Sequence, residues 1–364
     1  MSSTSSPSLE PRIAPLPLRP GSDIPQLTGI RAIAALIVFA HHGNVELAPH
    51  FPWAIDLLNE GIVGVNIFFV LSGFLIFWRY GESATLRRDW LINYFRSRAA
   101  RIYPLAILVT LLTLWALGTP DPMVWLRCLT LTQGLTPSML DRGVIPQAWT
   151  LTVEECFYFS APVLFILCRG RQLKIRLLAA TALAWAAGLL IHGPTVFLAQ
   201  NSIFGHCFEF FVGIALADTV GRLPAQRPRG WPWVTALGIV GIIACTHVLA
   251  VCDGRDLPRI NWIVTDDFVM PIPIAIFFFG LIREVGPIRW LLASRPAVFF
   301  GKVSFAFYLI HYGVFSVYID SLGFNIFIQF VLLVIVASVL YLFVEEPLRK
   351  MLRGRRIPRA GVNS

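Results

Sequence analysis

The chain is poor in charged residues. Only 14% of its 364 residues are Asp, Glu, Lys or Arg, against roughly 25% in soluble domains. Its 6 cysteines form no CxxC pair and show no spacing typical of a metal site. The sequence also lacks a glycine-rich phosphate-binding loop and an internal repeat. These absences argue against an ordinary soluble domain, and we expect no bound metal.

Hydrophobic residues are abundant instead. They make up 56% of the chain and include 28 Phe and 11 Trp, and the mean hydropathy is +0.68. This composition predicts an all-α, polytopic integral membrane protein. The net charge of +9 is a possible sign of nucleic-acid binding. However, the basic residues fall in short segments between apolar runs, so the expected partner is the lipid bilayer and not nucleic acid.

The apolar runs set the expected number of spans, since about 20 helical residues cross the hydrocarbon core. We predict ten transmembrane helices, at 26–43, 62–79, 102–118, 149–168, 175–192, 202–219, 232–251, 263–282, 298–318 and 324–346. The shorter apolar stretch 122–135 is interpreted as a re-entrant or interfacial piece.

The basic residues predict the orientation of these spans. With the N-terminus in the cytoplasm, 25 of the 30 lysines and arginines fall in inner segments, as the positive-inside rule requires. We therefore predict a multi-pass protein of the inner cell membrane with both termini cytoplasmic. A disordered tail (1–25) precedes the transmembrane domain (26–348), and a basic tail (349–364) follows it.

Ionisable residues inside the spans are the candidate functional groups, because such residues are costly in lipid. His42 closes a span that contains Arg31, and histidine transfers protons readily near neutral pH. Depth along each span predicts an outer group of His42, Asn66, Glu154 and His311, and an inner group of Arg31, Arg96, Arg98, Arg101 and Glu345. A base with a carboxylate outside and guanidinium groups inside suits a reaction between a cytoplasmic anion and an outward-facing acceptor.

Most of these residues also have structural explanations. The arginines could be structural: Arg96, Arg98 and Arg101 could be positive-inside anchors, and Arg31 could snorkel to the interface. His311 could form an interhelical hydrogen bond, and Glu345 could pair with Arg349. Ser72-Gly73 could allow close helix packing, and Trp149 and Tyr158 could be interfacial aromatics. His42 and Glu154 are the hardest to explain in this way.

Several segments resemble one family of membrane acyltransferases, acyltransferase family three. They are LTGIRAIAALIVFAHH (27–42), GVNIFFVLSGFLI (64–76), RAARIYPL (98–105), AWTLTVEECFYF (148–159), FEFFVGIALA (208–217), GKVSFAFYLIH (301–311) and VEEPLRK (344–350). The chain departs from the family pattern at Asn66, where an acid is common, and at Thr150 and Thr152, where serine is usual.

The resemblance implies transfer of an acyl group, commonly acetyl, from acyl-CoA to a hydroxyl of a carbohydrate or glycolipid. In the family, an arginine precedes the active-site histidine by eleven residues, which selects His42. The Arg-x-x-Arg feature gives Arg98 and Arg101, and Glu154 matches the family's acid. Some members carry an extra extracytoplasmic hydrolase-like domain, which this chain is expected to lack.

The resulting hypothesis is an acyl-CoA-dependent O-acyltransferase with acetyl-CoA as the expected donor and no metal. Arg31, Arg98 and Arg101 would hold the donor phosphates. His42 would act as general base or be acylated itself, oriented by Glu154, and it is open whether His41 shares this role. The cavity-lining or orienting residues would be Asn66, Ser72, Trp149, Tyr158 and His311. The alternative is a transporter or flippase for a polyisoprenoid-linked or sugar substrate, since ten spans with buried polar groups also suit transport.

Overall fold

The computed structural model describes most of the predicted membrane region. The described residues are 21–118, 121–135, 144–168, 170, 172–192, 202–224, 228, 230–255 and 259–353. Most of the two expected tails, residues 1–20 and 354–364, lies outside the described residues.

Ten helices of 13 residues or more form the framework of these described ranges, and no strand occurs in them. We number them α1 (Pro25–His42), α2 (Ile62–Tyr80), α3 (Arg88–Leu117), α4 (Trp149–Leu167), α5 (Leu173–His192), α6 (Ile203–Arg222), α7 (Trp233–Gly254), α8 (Pro271–Arg283), α9 (Arg295–Ile310) and α10 (Ile326–Leu340). The predicted all-α fold class is confirmed.

The helices fit a multi-pass membrane protein. Seven helical segments of 19 to 30 residues are long and apolar enough to cross a bilayer, and a bent pair raises the number to eight. They coincide with eight of the ten predicted spans. Helices α1 and α5 occupy the remaining two positions without being among these eight. The number ten and the cytoplasmic termini therefore stay predictions.

The ninth predicted span, 298–318, is not one straight helix. Helix α9 ends at Ile310, and the next helix, Val314–Asp320, leaves at 86°. Gly313 makes this bend possible because its φ of 97° lies in a region that side chains disfavour. The break places His311 at the C-terminal end of α9.

Helix α3 begins earlier than the predicted third span, 102–118. It runs from Arg88 to Leu117, so Arg98 and Arg101 lie on the body of a helix and not in a loop between spans. Their side chains face a cavity between helices, where the charge has polar surroundings. An intramembrane helix can therefore continue through them.

Helix α2 lies at the centre of the packing, with its most extensive contacts to α6 and further contacts to α1. At Gly73 an added Cβ would lie 2.1 Å from the carbonyl oxygen of Phe210 on α6. Glycine is needed there because the two backbones touch, as the packing explanation of this residue predicts. Ser72, one position earlier, projects about 100° away around the helix and lines the cavity.

Two π-helical turns carry buried acids. Val264–Val269 precedes α8 and contains the fully buried Asp266 and Asp267, and Tyr341–Glu345 follows α10 and contains the buried Glu345. A π turn places an extra residue within one turn and is frequent at functional sites. Hydropathy alone does not signal such turns.

Candidate functional site

A partly open cavity lies between α1, α2, α3, α4 and α9. Phenylalanine, leucine, isoleucine and valine form its apolar wall. Its polar lining consists of Arg31, Ser72, Arg98, Arg101, Thr150, Glu154, Tyr158, Ser304 and Tyr308. Besides Glu154, this set includes five of the predicted site residues: Arg31, Ser72, Arg98, Arg101 and Tyr158. The apolar wall limits the access of water to them.

The arginines of the cavity retain unused hydrogen-bond donors. Among the residues that the structure describes, the buried Nε atoms of Arg31 and Arg98 have no hydrogen-bond partner. The guanidinium of Arg98 lies 5.3 Å from the ring centre of Tyr80 and 5.7 Å from that of Tyr158, and its Nη2 donates to the Tyr80 hydroxyl over 3.3 Å. Stacking on two rings fixes this group in place. The free N–H groups are suited to a phosphate or carboxylate.

Glu345 belongs to the same electrostatic group. Its carboxylate is attracted by Arg101 and Arg31 of the cavity, and by Arg349. Arg349 forms its ion pair with Glu346, and among the described residues no ion pair joins Glu345 to Arg349. The π turn causes the difference because it turns Glu345 into the protein.

Glu154 lies inside the arginine cavity and not in an outer group with His42. Its Oε1 accepts a 2.6 Å hydrogen bond from Ser72 Oγ and a second, shorter one from the Tyr158 hydroxyl. It also interacts electrostatically with Arg31. In the described residues no hydrogen bond joins Glu154 to His42. The expected contact is missing because depth along a helix does not fix the direction in which a side chain points.

His42 is exposed at the C-terminal end of α1. Its Nδ1 lies 2.9 Å from the carbonyl oxygen of Val38 and 3.2 Å from Nε2 of His311, and its ring stacks on Tyr312 at 4.2 Å between centres. A carbonyl only accepts, so we assign the proton to Nδ1 of His42. Its Nε2 then carries a lone pair that is free to accept a proton.

His311 connects His42 to the cavity. It is 3% exposed, and its Nδ1 lies 2.8 Å from the carbonyl oxygen of Tyr308. Its Nδ1–H therefore donates to Tyr308, which leaves Nε2 to accept from His42. Tyr308 lines the cavity and its hydroxyl lies 2.9 Å from Thr150 Oγ1. His311 itself does not line the cavity. It joins His42 to Tyr308, which does.

The neighbouring His41 points elsewhere. Its Nδ1 lies 3.1 Å from the carbonyl oxygen of Leu58, and its ring is inclined by 71° to that of His42. The two histidines thus have different surroundings, and only His42 contacts His311 and Tyr312.

Asn66 and Trp149, which were also expected at the cavity, lie outside its lining. The Nδ2 of Asn66 donates to Asp266 over 2.7 Å, and the Trp149 ring packs 5.4 Å from His206. Asn66 belongs to a second polar cluster, against which Trp149 packs. The sequence did not reveal this cluster because its residues come from distant segments.

Some contributors to the site were not predicted. Tyr80 holds Arg98, and the buried Thr150 bonds to Tyr308. Arg96, placed with the inner arginines by depth, instead donates to the carbonyl oxygen of Leu352 over 2.7 Å.

Comparisons with known proteins agree with the resemblance in the motifs. The model of a family described as an acyltransferase domain, acyltransferase family three, matches residues 24–344. The acyltransferase MdmB of Streptomyces mycarofaciens is 26% identical over 324 residues, which cover 79% of this chain and 78% of the relative.

Two further relatives are O-acetyltransferases. The peptidoglycan O-acetyltransferase OatA of Listeria monocytogenes is 25% identical over 376 residues, covering 90% of this chain and 56% of the relative. The O-acetyltransferase OatA of Staphylococcus aureus is 23% identical over 363 residues, covering 90% and 57%. The chain thus spans little more than half of the length of these two relatives. No solved structure matches the chain.

Proposed function

This chain belongs to acyltransferase family three, and we propose that it transfers an acetyl group from acetyl-CoA to a hydroxyl of a carbohydrate or glycolipid acceptor. One observation carries the proposal: a cavity with three arginines is connected to a histidine that has a free Nε2. Hydrogen bonds link this histidine, His42, through His311 to Tyr308 of the cavity wall. Relatives named O-acetyltransferases support acetyl as the group and oxygen as its acceptor atom.

The arginines are the proposed donor site. Coenzyme A carries a diphosphate and a further phosphate, and arginine binds phosphate through paired, charge-assisted hydrogen bonds. Arg31, Arg98 and Arg101 come from two helices and line one cavity. The apolar wall of the cavity suits the uncharged arm of acetyl-CoA, which connects the phosphates to the thioester.

His42 is the proposed general base. Its Nε2 takes the proton from the acceptor hydroxyl while the hydroxyl oxygen attacks the thioester carbonyl carbon. The carbon–sulfur bond breaks, the thiolate leaves with coenzyme A, and the imidazolium returns its proton to that sulfur. The product is an acetyl ester. Acylation of His42 itself would use the same free Nε2.

Glu154 has a different role from the one expected. Since it binds Ser72 and Tyr158 and interacts with Arg31, we assign it to positioning. It holds the two hydroxyl groups in the wall and offsets part of the arginine charge. His42 receives its orientation from Val38 and His311 instead.

The proposed orientation in the membrane rests on the uneven distribution of lysine and arginine among the segments between the spans. We propose ten spans with both termini cytoplasmic, an inner-membrane location, donor entry from the cytoplasm and acceptor binding at the extracytoplasmic side. No comparison supports the alternative of a transporter or flippase.

Purified protein in nanodiscs tests this function. Acetyl-CoA labelled in the acetyl group is supplied together with cell-envelope glycans, and both free coenzyme A and alkali-labile label on glycan are measured. The proposal expects the two products in equal amounts. Movement of a glycan across the bilayer without release of coenzyme A would instead favour transport.

Replacing His311 with phenylalanine tests its positioning role. Phenylalanine preserves the ring but removes the Nε2 that accepts from His42, so we expect kcat to fall about 5-fold, the scale of one hydrogen bond worth ~1 kcal/mol, with the donor KM unchanged. His311→Gln, which retains an acceptor, should recover part of the loss. Steady-state kinetics on both variants measure this split, and an increase in donor KM alone would contradict the assignment.

A further inference from the structure

A second buried polar cluster lies beside the cavity. It contains Asn66 of α2, His206 and Glu209 of α6, and Asp266 and Asp267 of the π turn before α8. These five side chains are 0 to 2% exposed. The cluster is independent of the arginine cavity, since none of its members lines that cavity.

The negative charge of the cluster is not balanced by protein. Three carboxylates face one imidazole, and in the described part of the chain no lysine or arginine forms an ion pair with them. Burying a carboxylate without a compensating charge is strongly unfavourable. The cluster therefore needs protons or a bound cation.

The oxygen atoms of the cluster also lack donors. Within the described ranges, five buried acceptors receive no hydrogen bond from an N–H or hydroxyl group: Glu209 Oε2, Asp266 Oδ2, both carboxylate oxygens of Asp267, and Asn66 Oδ1. Buried polar atoms are normally satisfied. Asp267 is the clearest case among the described residues, because it is 0% exposed and its hydrogen-bonding neighbour is a second carboxyl group, that of Asp266.

The geometry of the cluster fits a metal ion. One ligand atom from each of His206, Glu209 and Asp267 can be chosen so that all three lie within 4.8 Å of one another. His206 Nδ1 is 2.9 Å from Glu209 Oε1 and 3.8 Å from Asp267 Oδ1. Ligands at ~2.1 Å around a tetrahedral Zn²⁺ are roughly 3.4 Å apart, which these two distances bracket.

We propose that His206, Glu209 and Asp267 bind one divalent transition-metal cation, of which Zn²⁺ and Mn²⁺ suit one imidazole and two carboxylates. Asp266 accepts from Asn66 and lies in contact with the site as an additional negative charge. The sequence predicts no metal because the ligands are far apart in the chain. His206 and Glu209 are three residues apart on α6, and Asp267 lies 58 residues after Glu209 in a π turn.

The ion would be structural. It would tie α6 to the π turn, and the His206 ring packs 5.1 Å from Phe69 and 5.4 Å from Trp149. Phe69 is part of the cavity wall. Binding of the ion would therefore fix one side of the wall without contact to substrate.

Metal content and thermal stability test this site without an activity assay. The full chain, purified in detergent without a polyhistidine tag, is analysed by inductively coupled plasma mass spectrometry, stripped with a chelator, and titrated with ZnCl₂ or MnCl₂. We expect about one ion per chain as purified or after reloading, and a Tm that falls on stripping and recovers with the ion.

Two isosteric variants assign the ion to this cluster. Asp267→Asn and Glu209→Gln preserve shape but remove ligand charge, and each should lose the bound ion and the metal-dependent change in Tm. Asp56→Asn is the control, since Asp56 pairs with His247 at an exposed position and should retain both. If folded wild-type protein holds no ion and neither salt changes its Tm, protons neutralise the cluster and the proposal is wrong. Equal binding by Asp267→Asn, Glu209→Gln and wild type would also overturn it.

Discussion

Replacing His42 with alanine should lower kcat for acetyl transfer by about 10²–10⁴-fold, the usual contribution of a general base. His42 is an exposed residue at the end of α1, and in the described part of the chain its ring hydrogen-bonds only Val38 and His311, so its loss should leave insertion and folding intact. Initial rates of coenzyme A release by purified protein measure the effect, and the elution profile on size exclusion checks the fold.

His41→Ala is the matched control for this substitution. The two histidines are adjacent on α1, but His41 contacts the carbonyl oxygen of Leu58 and not His311. We expect His41→Ala to retain wild-type kcat within a few-fold. If His42→Ala remained as active as wild type, or if His41→Ala alone abolished transfer, the assignment of the base would be wrong.

Replacing Arg98 with alanine should raise the donor KM by about 10–100-fold, the loss expected when charged hydrogen bonds worth ~1.5–3 kcal/mol are removed. The acceptor KM should change little, since the arginine is assigned to the phosphates. Arg98→Lys should restore only part of the affinity, because an ammonium neither binds phosphate in a bidentate manner nor stacks in the same way on Tyr80 and Tyr158.

Arg222→Ala provides the control for charge removal. Arg222 is exposed, pairs with Asp218 and does not line the cavity, so its loss should leave both KM values unchanged. Direct binding of labelled coenzyme A to the Arg98 variants separates affinity from turnover. A normal donor affinity in Arg98→Ala would remove this arginine from the donor site.

The fold was largely predictable because hydropathy and length dominate it. The apolar runs located the helices, and local features altered some of them: two π turns, a bend and an extension. Gly313 permits the bend after α9, and cavity-facing Arg98 and Arg101 allow α3 to extend through a charged segment. Both depend on tertiary surroundings that a single apolar run does not encode.

The sequence identified several residues that line one cavity, but not how their side chains are arranged. The spacing of Arg31 and His42 and the Arg98–Arg101 feature identified residues that the structure places at or next to one cavity. The predicted contact between Glu154 and His42 was wrong, because the depth of a residue along a helix does not determine the direction in which its side chain points. The buried acids at 266 and 267 were not expected to be functional, because a π turn decides which way they point.

The structure of the protein in nanodiscs with bound acetyl-CoA is the most direct test of the proposed transfer route. It should place the phosphates within hydrogen-bond distance of Arg31, Arg98 and Arg101, with the acetyl carbonyl carbon beside Nε2 of His42. Coenzyme A bound outside the arginine cavity, or a thioester separated from His42 by an unmoved Tyr308 and His311, would contradict it.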